Sequence, residues 1–170
     1  IFIGPSPETI KVMGDKAESK KIMEEAGVPT IPGHDGELTG NIDSIAKDIG
    51  FPLMVKAAAG GGGKGMRAVY NPEDLSEAIE SASNEARNSF GNDTLILERF
   101  LDKPRHIEVQ ILGDQKGNIV HLFERECSIQ RRHQKIIEES PSSAITNKLR
   151  KEMGEAAVKA AKVTNYHSTG

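Results

Sequence analysis

The sequence predicts an α+β fold, and three observations carry that prediction. Apolar residues recur at helical spacing in some segments and with period two in others, so helices and strands are interspersed along the chain. Successive strand segments are joined by short glycine-containing turns, which makes the strands largely antiparallel. Hydrophobic residues make up 36% of the 170 residues and 17 glycines join them, which is the composition of a chain with a packed core.

The same composition excludes several classes. Charged residues reach 28%, and no apolar run approaches the ~20 residues of a membrane helix. Collagen, long disorder and a disulfide scaffold do not fit. The formal net charge of −3 argues against a generic nucleic-acid binder. The single cysteine, Cys127, has no partner for an internal disulfide, which fits a reducing compartment.

Ile1-Phe2-Ile3 reads as the end of a strand entering the Gly4-Pro5 turn. Ser6-Pro7-Glu8 starts a helix with a capping hydroxyl and an N1 proline. Asp15 and Glu18 repeat a cap-like signal, so Gly14 interrupts or restarts that helix. Ile22, Met23 and Ala26 form its apolar stripe, and Gly27 ends it ahead of Pro29. Residues 29–40 hold two prolines and three glycines and read as a short strand plus loop. Ile42, Ile45, Ala46 and Ile49 then fall on one face of a short helix closed by Gly50.

Pro52–Ala58 reads as a strand, Gly60–Gly65 as a glycine-rich turn and Met66–Tyr70 as a second strand. Asn71-Pro72-Glu73-Asp74 opens a helix with acids at its positive end, and Leu75, Ala78, Ile79, Ala82 and Ala86 are its buried stripe. Thr94–Arg99 is a third strand. From Arg105 the period is two, with Ile107, Val109 and Ile111 on one face and His106, Glu108 and Gln110 on the other. Gly113–Gly117 is a turn and Asn118–Cys127 the return strand. Ser128–Pro141 is polar and shows no period. A last helix, 147–163, sets Leu149, Met153, Ala156, Ala160 and Val163 on one side. Asn165–Gly170 follows without a strand or a cap, so the chain is expected to be a fragment of something longer. The boundary between lobes is expected near residues 100–104.

Four consecutive glycines, Gly60 to Gly63, forfeit conformational entropy that core packing never requires. Their physical use is close approach of backbone N–H groups to an anion such as phosphate; a flexible hairpin is the plainer alternative. A Walker A loop is excluded, because Lys64 is followed by Gly65 and the position of its first glycine holds Ala58. Gly60, Gly62 and Gly65 meet the dinucleotide pattern formally, but a strand follows where that pattern needs a helix. The strand–loop–strand order is that of the flap over ATP in kinases, although those enzymes carry their lysine on a later strand. Here Lys56 precedes the loop on an apolar strand. Its charge either snorkels out or meets an anion.

Other polar residues have two readings each. His106 is either a surface histidine or a ligand-binding one. Arg131-Arg132-His133-Gln134-Lys135 is either a solvated basic run or an anion site; a nucleic-acid patch lacks stacking partners, since Trp is absent and aromatics total 4%. Glu124 and Glu126 are either a carboxylate pair or a charged sheet face. His34 and His121 lack metal-ligand spacing and are expected to be structural or exposed. Cys127 has no histidine at motif spacing and is expected to be an ordinary buried or half-buried thiol.

Taken together, five motifs carry a family resemblance. They are Met13-Gly14-Asp15-Lys16; Val55-Lys56-Ala57 with Gly60–Gly65; Glu98-Arg99-Phe100-Leu101; Pro104-Arg105-His106-Ile107-Glu108; and Gln130-Arg131-Arg132-His133-Gln134-Lys135. The chain resembles the biotin carboxylase component of the biotin-dependent carboxylases that act on acetyl-, propionyl- or methylcrotonoyl-CoA or pyruvate, an ATP-grasp family. The last motif is the most specific. The resemblance implies an incomplete ATP-grasp fold: a helical linker over 1–28, a lid subdomain with the glycine loop over 29–101, and the truncated first part of the second lobe over 102–170.

The resemblance also implies roles. Lys16 and Lys56 contact the nucleotide phosphates, Lys56 also the base region, and the amides of Gly62 and Gly63 cover the phosphates. Glu98, Arg99, Phe100 and Leu101 form the hinge that reads adenine through backbone groups. The side chains of Glu98, His106 and His133 contact nucleotide. Gln130 and Lys135 lie where bicarbonate binds. Arg131 and Arg132 fit a basic environment and receive no individual role. ATP phosphorylates bicarbonate to carboxyphosphate, which releases CO2 beside the biotin ureido nitrogen; such transfer mostly needs positioning and charge neutralisation.

The family's Mg-binding glutamates and asparagine, and its biotin-enolate arginine, correspond to positions after residue 170, so no metal ligand is expected in this chain and turnover by the fragment alone is not expected. Implied partners are ATP, Mg, bicarbonate, biotin on a carrier domain, a carboxyltransferase and a second copy in a homo-oligomer, with no nucleic acid and no membrane, in the cytoplasm or the mitochondrial matrix. Two alternatives stand beside this reading: another ATP-grasp ligase of the carbamoyl-phosphate synthase kind, and a non-catalytic ATP-binding regulatory module.

Overall fold

The computed structural model describes residues 2–34, 38, 41–58, 65–132 and 134–170. Two candidates in the glycine loop, Gly62 and Gly63, and the candidate His133 lie outside the described residues. The chain divides into two compact units. One comprises Ile1–Gly14, Glu18–Thr30 and Lys103–Gly170; the other comprises Asp15–Ala17 and Ile31–Asp102.

In the second of these, β1 (Gly33–His34), β2 (Leu53–Ala57), β3 (Met66–Val69) and β4 (Leu95–Arg99) form an antiparallel sheet in the order β1-β4-β2-β3. Leu53, Val55 and Ala57 alternate into the core from β2, as a half-buried strand requires. Helices α3 (Ile42–Ile49) and α4 (Leu75–Phe90) supply the facing stripe. Ala46, Leu75, Ala82 and Ala86 are buried against Leu53, Val55, Val69 and Leu97, joined by Ile42, Ile45 and Ile49. Burying each large aliphatic side chain contributes roughly 1.5–3 kcal/mol. Asn41 caps α3 by accepting from the Ser44 amide at 3.2 Å, and Gly50, at φ 82°, ends it in a conformation that strains any side chain. The predicted start of α4 is a separate 3-10 turn, Pro72–Asp74.

The other unit holds α1 (Pro7–Gly14), most of α2 (Lys16–Glu25), β5 (Ile107–Gly113), β6 (Ile119–Arg131), β7 (Gln134–Glu139), α5 (Asn147–Val163) and β8 (Ser168–Thr169). Its sheet runs β7-β6-β5-β8, all antiparallel. The break between α1 and α2 falls at Asp15, whose carboxylate accepts from the Ala17 amide at 3.0 Å. Asp114 pins the β5–β6 turn by accepting from the amides of Lys116 and Asn118, both at 2.8 Å. Thr146 caps α5 through the Leu149 amide.

Three sequence expectations are corrected. Ser128–Pro141 is not irregular: it completes β6 and supplies β7. Every β7 residue is exposed, so no buried face imposed a period of two on its sequence; pairing with β6 makes it a strand. Asn165–Gly170 contains β8, and Ile111 exchanges backbone hydrogen bonds with Gly170 at 2.7 and 3.2 Å. Phe2 and Ile3 belong to no strand and are largely exposed.

Candidate functional site

The candidate residues fall in both units, and each set has its own geometry. In the unit built on β2 and β4, Lys56 and Glu98 sit diagonally on paired strands, with Lys56 opposite Ile96 and Met54 opposite Glu98. The Lys56 ammonium donates to Glu98 Oε2. The sequence asked whether this lysine snorkels out or meets an anion, and its partner within the protein is this carboxylate; their side chains are 26% and 12% exposed. Lys16 donates to the Ala57 carbonyl at 3.4 Å, on the strand that leads into the glycine segment.

The hinge residues are partly committed elsewhere. The amides of Arg99 and Phe100 donate to the carbonyls of Pro32 and Pro52 at 2.9 and 3.1 Å. The Arg99 side chain donates to the Ile49 carbonyl at 2.9 Å, where a cation complements the C-terminus of α3. The Phe100 ring meets Tyr70 edge to face at 5.8 Å, and Leu101 is exposed.

In the unit built on β5, β6 and β7, His106 just before β5 meets Gln130 of β6, and Glu108 on β5 meets Lys135 of β7. The Gln130 amide lies 2.8 Å from His106 Nδ1 and donates to the Cys127 carbonyl at 2.8 Å. Lys135 reaches from β7 to Glu108 Oε2. Arg125, on the strand between them, grips the other carboxylate oxygen at 2.5 and 3.0 Å and Gln110 Oε1 at 2.9 Å. The Lys135 ammonium beside Glu108 holds this carboxyl down at about 2, with Arg125 adding to the effect against the opposing cost of burial. The same contact pushes the Lys135 ammonium up from its ordinary value. Lys135 is therefore a cation at every physiological pH, suited to hold an anionic substrate.

Glu108, Arg125 and Cys127 belong to this cluster, and the sequence reading gave none of them a role. Cys127 is fully buried, with Sγ 3.6 Å from Glu108 Oε2 and 3.7 Å from the His106 carbonyl. Burial, then the Glu108 charge, pushes its thiol up. The turn at Asp114–Gly117 pairs Ile111 with His121, a register that by itself would set Glu108 opposite Glu124; the shift between Val109 and Ile111 sets it opposite Arg125, which no local signal in the sequence marks.

Glu124 and Glu126 are structural. Arg150 Nε bridges both oxygens of Glu124 at 2.9 Å, and the Ser142 amide donates at 3.1 Å. Glu126 takes the Ser142 hydroxyl, Arg105 at 2.6 Å and the Ser128 hydroxyl at 3.1 Å. His121 packs its ring on Gly154 and Phe123, and His34 pairs with Leu97 through β1.

A family model described as "Carbamoyl-phosphate synthase L chain, ATP binding domain" matches residues 15–170. The chain belongs to this family. Within it, the chain is 52% identical over 171 residues to the biotin carboxylase of Nostoc sp., covering 99% of this chain and 38% of that protein. A crystal structure of the Campylobacter jejuni biotin carboxylase–beta-gamma-ATP complex superposes with a TM-score of 0.92 at 51% identity, over 99% of this chain and 38% of that one. The biotin carboxylase domain dimer of Hydrogenobacter thermophilus 2-oxoglutarate carboxylase, in complex with MgADP, ADP and bicarbonate, gives 0.90 at 50% identity over the same 99% and 38%. The resemblance to biotin carboxylases and the partial ATP-grasp fold read from the sequence are borne out. The family carries the name of the carbamoyl-phosphate synthase alternative, but these relatives, at half identity or more, are biotin carboxylases. No helix among the described residues is long and apolar enough to cross a membrane.

Proposed function

We propose that this chain is an ATP-binding part of a biotin carboxylase, in which ATP and bicarbonate carboxylate biotin by way of carboxyphosphate. The observation that carries the reading is the 0.92 TM-score at 51% identity to the biotin carboxylase–beta-gamma-ATP complex, over 99% of the chain. The bicarbonate and MgADP of the H. thermophilus domain support the substrate pair.

In this reading Lys16 and Lys56 neutralise nucleotide phosphates, and the amides of Gly62 and Gly63 cover them. Glu98 holds the Lys56 ammonium in place until a nucleotide arrives. Of the hinge, the Arg99 and Phe100 amides are already donated within the protein, which leaves Leu101 to offer adenine its backbone N–H. His106 and His133 touch the nucleotide. Gln130 and Lys135 hold bicarbonate; Glu108 keeps Lys135 protonated and Arg125 keeps Glu108 oriented. Phosphoryl transfer to so weak a nucleophile depends on placement and charge, which these lysines supply. Bound Mg2+ neutralises phosphate charge, and the resemblance gives it no ligand among these residues. The partners are a biotin carrier domain, a carboxyltransferase and a second copy.

The test is ADP release by the full-length protein that carries this chain, with Mg2+, ATP and free biotin. Release that requires bicarbonate and collapses in Lys135→Ala is the expected result. ATP binding with no bicarbonate-dependent turnover would instead identify a regulatory nucleotide-binding module.

A further inference from the structure

We propose that His106, Glu108 and Cys127 form a binding site for a thiophilic divalent cation of the zinc class. One ligand atom from each lies within 4.8 Å of the others. The set combines an imidazole, a carboxylate and a thiol, the donors that such a cation selects over magnesium or calcium.

The arrangement is held by backbone pairing. The Cys127 amide donates to the His106 carbonyl at 2.8 Å, so β5 and β6 hold the imidazole and the thiol at adjacent positions. Cys127 Sγ and Glu108 Oε2 are 3.6 Å apart. Zinc–sulfur and zinc–oxygen bonds at tetrahedral angles place their donors about 3.5 Å apart, so these two need almost no movement. The two oxygens of Glu108 are divided. Arg125 holds Oε1, while Oε2 faces both the thiol and Lys135. A cation therefore takes Oε2 in place of the Lys135 ammonium, with one positive partner replacing another, and Arg125 stays behind to orient the carboxylate. With the metal on Nε2, His106 Nδ1 carries the proton and becomes a donor, so the Gln130 amide nitrogen, 2.8 Å away and donating to the Cys127 carbonyl, turns aside from the ring. Binding deprotonates the thiol: the sulfur–hydrogen bond breaks, a metal–sulfur bond forms and the proton passes to solvent. Lys135 leaves as an ammonium.

The site stands independently of the proposed activity. Where that activity holds, occupancy also removes Glu108 from Lys135 and lowers bicarbonate-dependent turnover.

The test is a Co2+ titration of the full-length protein that carries this chain, followed by absorption spectroscopy. Thiolate bound to cobalt gives a near-ultraviolet charge-transfer band that oxygen ligands do not. The expected result is a saturable band that Zn2+ displaces and that vanishes in Cys127→Ser, with Glu108→Gln weakening binding by about tenfold or more. Circular dichroism and melting of Cys127→Ser confirm that it folds. The difference spectrum between the two proteins isolates Cys127 from any other cysteine. A charge-transfer band of which no part is lost in Cys127→Ser, or cobalt binding with no such band, would overturn the proposal. Its spectral readout also separates this outcome from failure of the carboxylase reading.

Discussion

Lys135 on the edge strand β7 reaches across β6 to bind Glu108 on β5, and Arg125 on the intervening strand holds the same carboxylate from the other side. One carboxylate thus aligns two cations from two further strands, and its own ionisation governs both.

The Glu108 carboxyl sits at about 2 against an ordinary 4.5. A lowered carboxylate contributes stability that is fully present above 4.5 and is lost as pH falls through about 2. Denaturant unfolding of wild type and Glu108→Gln is therefore expected to differ by a constant amount near neutrality. That difference should shrink progressively below 4.5. A difference that does not change with acid would show that the pairs to Lys135 and Arg125 carry no net stabilisation.

Glu124 is buried, with its side chain 1% exposed, and Arg150 bridges both of its oxygens from a side chain 19% exposed. Removing one partner strands the other charge in a dry site, a loss of about 3 kcal/mol or more. Glu124→Gln and Arg150→Met are each expected to destabilise. The double variant should lose less than the sum of the two, as measured by a urea-unfolding cycle. Additive losses would mean that the two side chains act separately.

Gly154 lies inside α5, where a Cβ would come within 2.5 Å of the His121 ring. Helix propensity alone makes Gly→Ala favourable by about 1 kcal/mol. The contact is expected to reverse that sign, with Gly154→Ala costing about 1–3 kcal/mol. The same substitution in a His121→Ala background should be neutral or stabilising. Thermal melts of the four proteins decide it, and stabilisation by Gly154→Ala alone would mean that the ring moves aside freely.

Lys56 and Glu98 pair on β2 and β4 beside the glycine segment. Hydrogen bonds to charged groups contribute about 1.5–3 kcal/mol, so Lys56→Met is expected to weaken ATP binding about tenfold or more. Isothermal titration calorimetry on the full-length protein measures this directly. Unchanged ATP affinity in a variant that melts normally would confine Lys56 to a structural pair with Glu98.

The sequence by itself determined what adjacent residues can impose on one another. The alternation of Leu53, Val55 and Ala57, the stripe Ile42-Ile45-Ala46-Ile49 closed by Gly50, and the turn at Asp114–Gly117 were legible because periodicity and turn chemistry are local. The motifs around Lys56, Glu98 and Lys135 carried the family for a related reason: each is a short contiguous string.

Only the tertiary structure decided which distant groups meet. Alternation along β6 sends Glu124 and Glu126 to Ser142 on one face and Arg125 and Cys127 to Glu108 on the other, and the sequence did not name these partners. Pairing of β6 with β7 shifts register between Glu126 and Ile129, and Glu124, Glu126 and Cys127 are all buried. A further shift, between Val109 and Ile111, alters the pairing of β5 with β6. The joining of His106, Glu108 and Cys127, the Lys56–Glu98 diagonal and the existence of β7 all depend on which strand lies beside which. That choice is made by long-range hydrogen bonding and burial, which no window of neighbouring residues encodes.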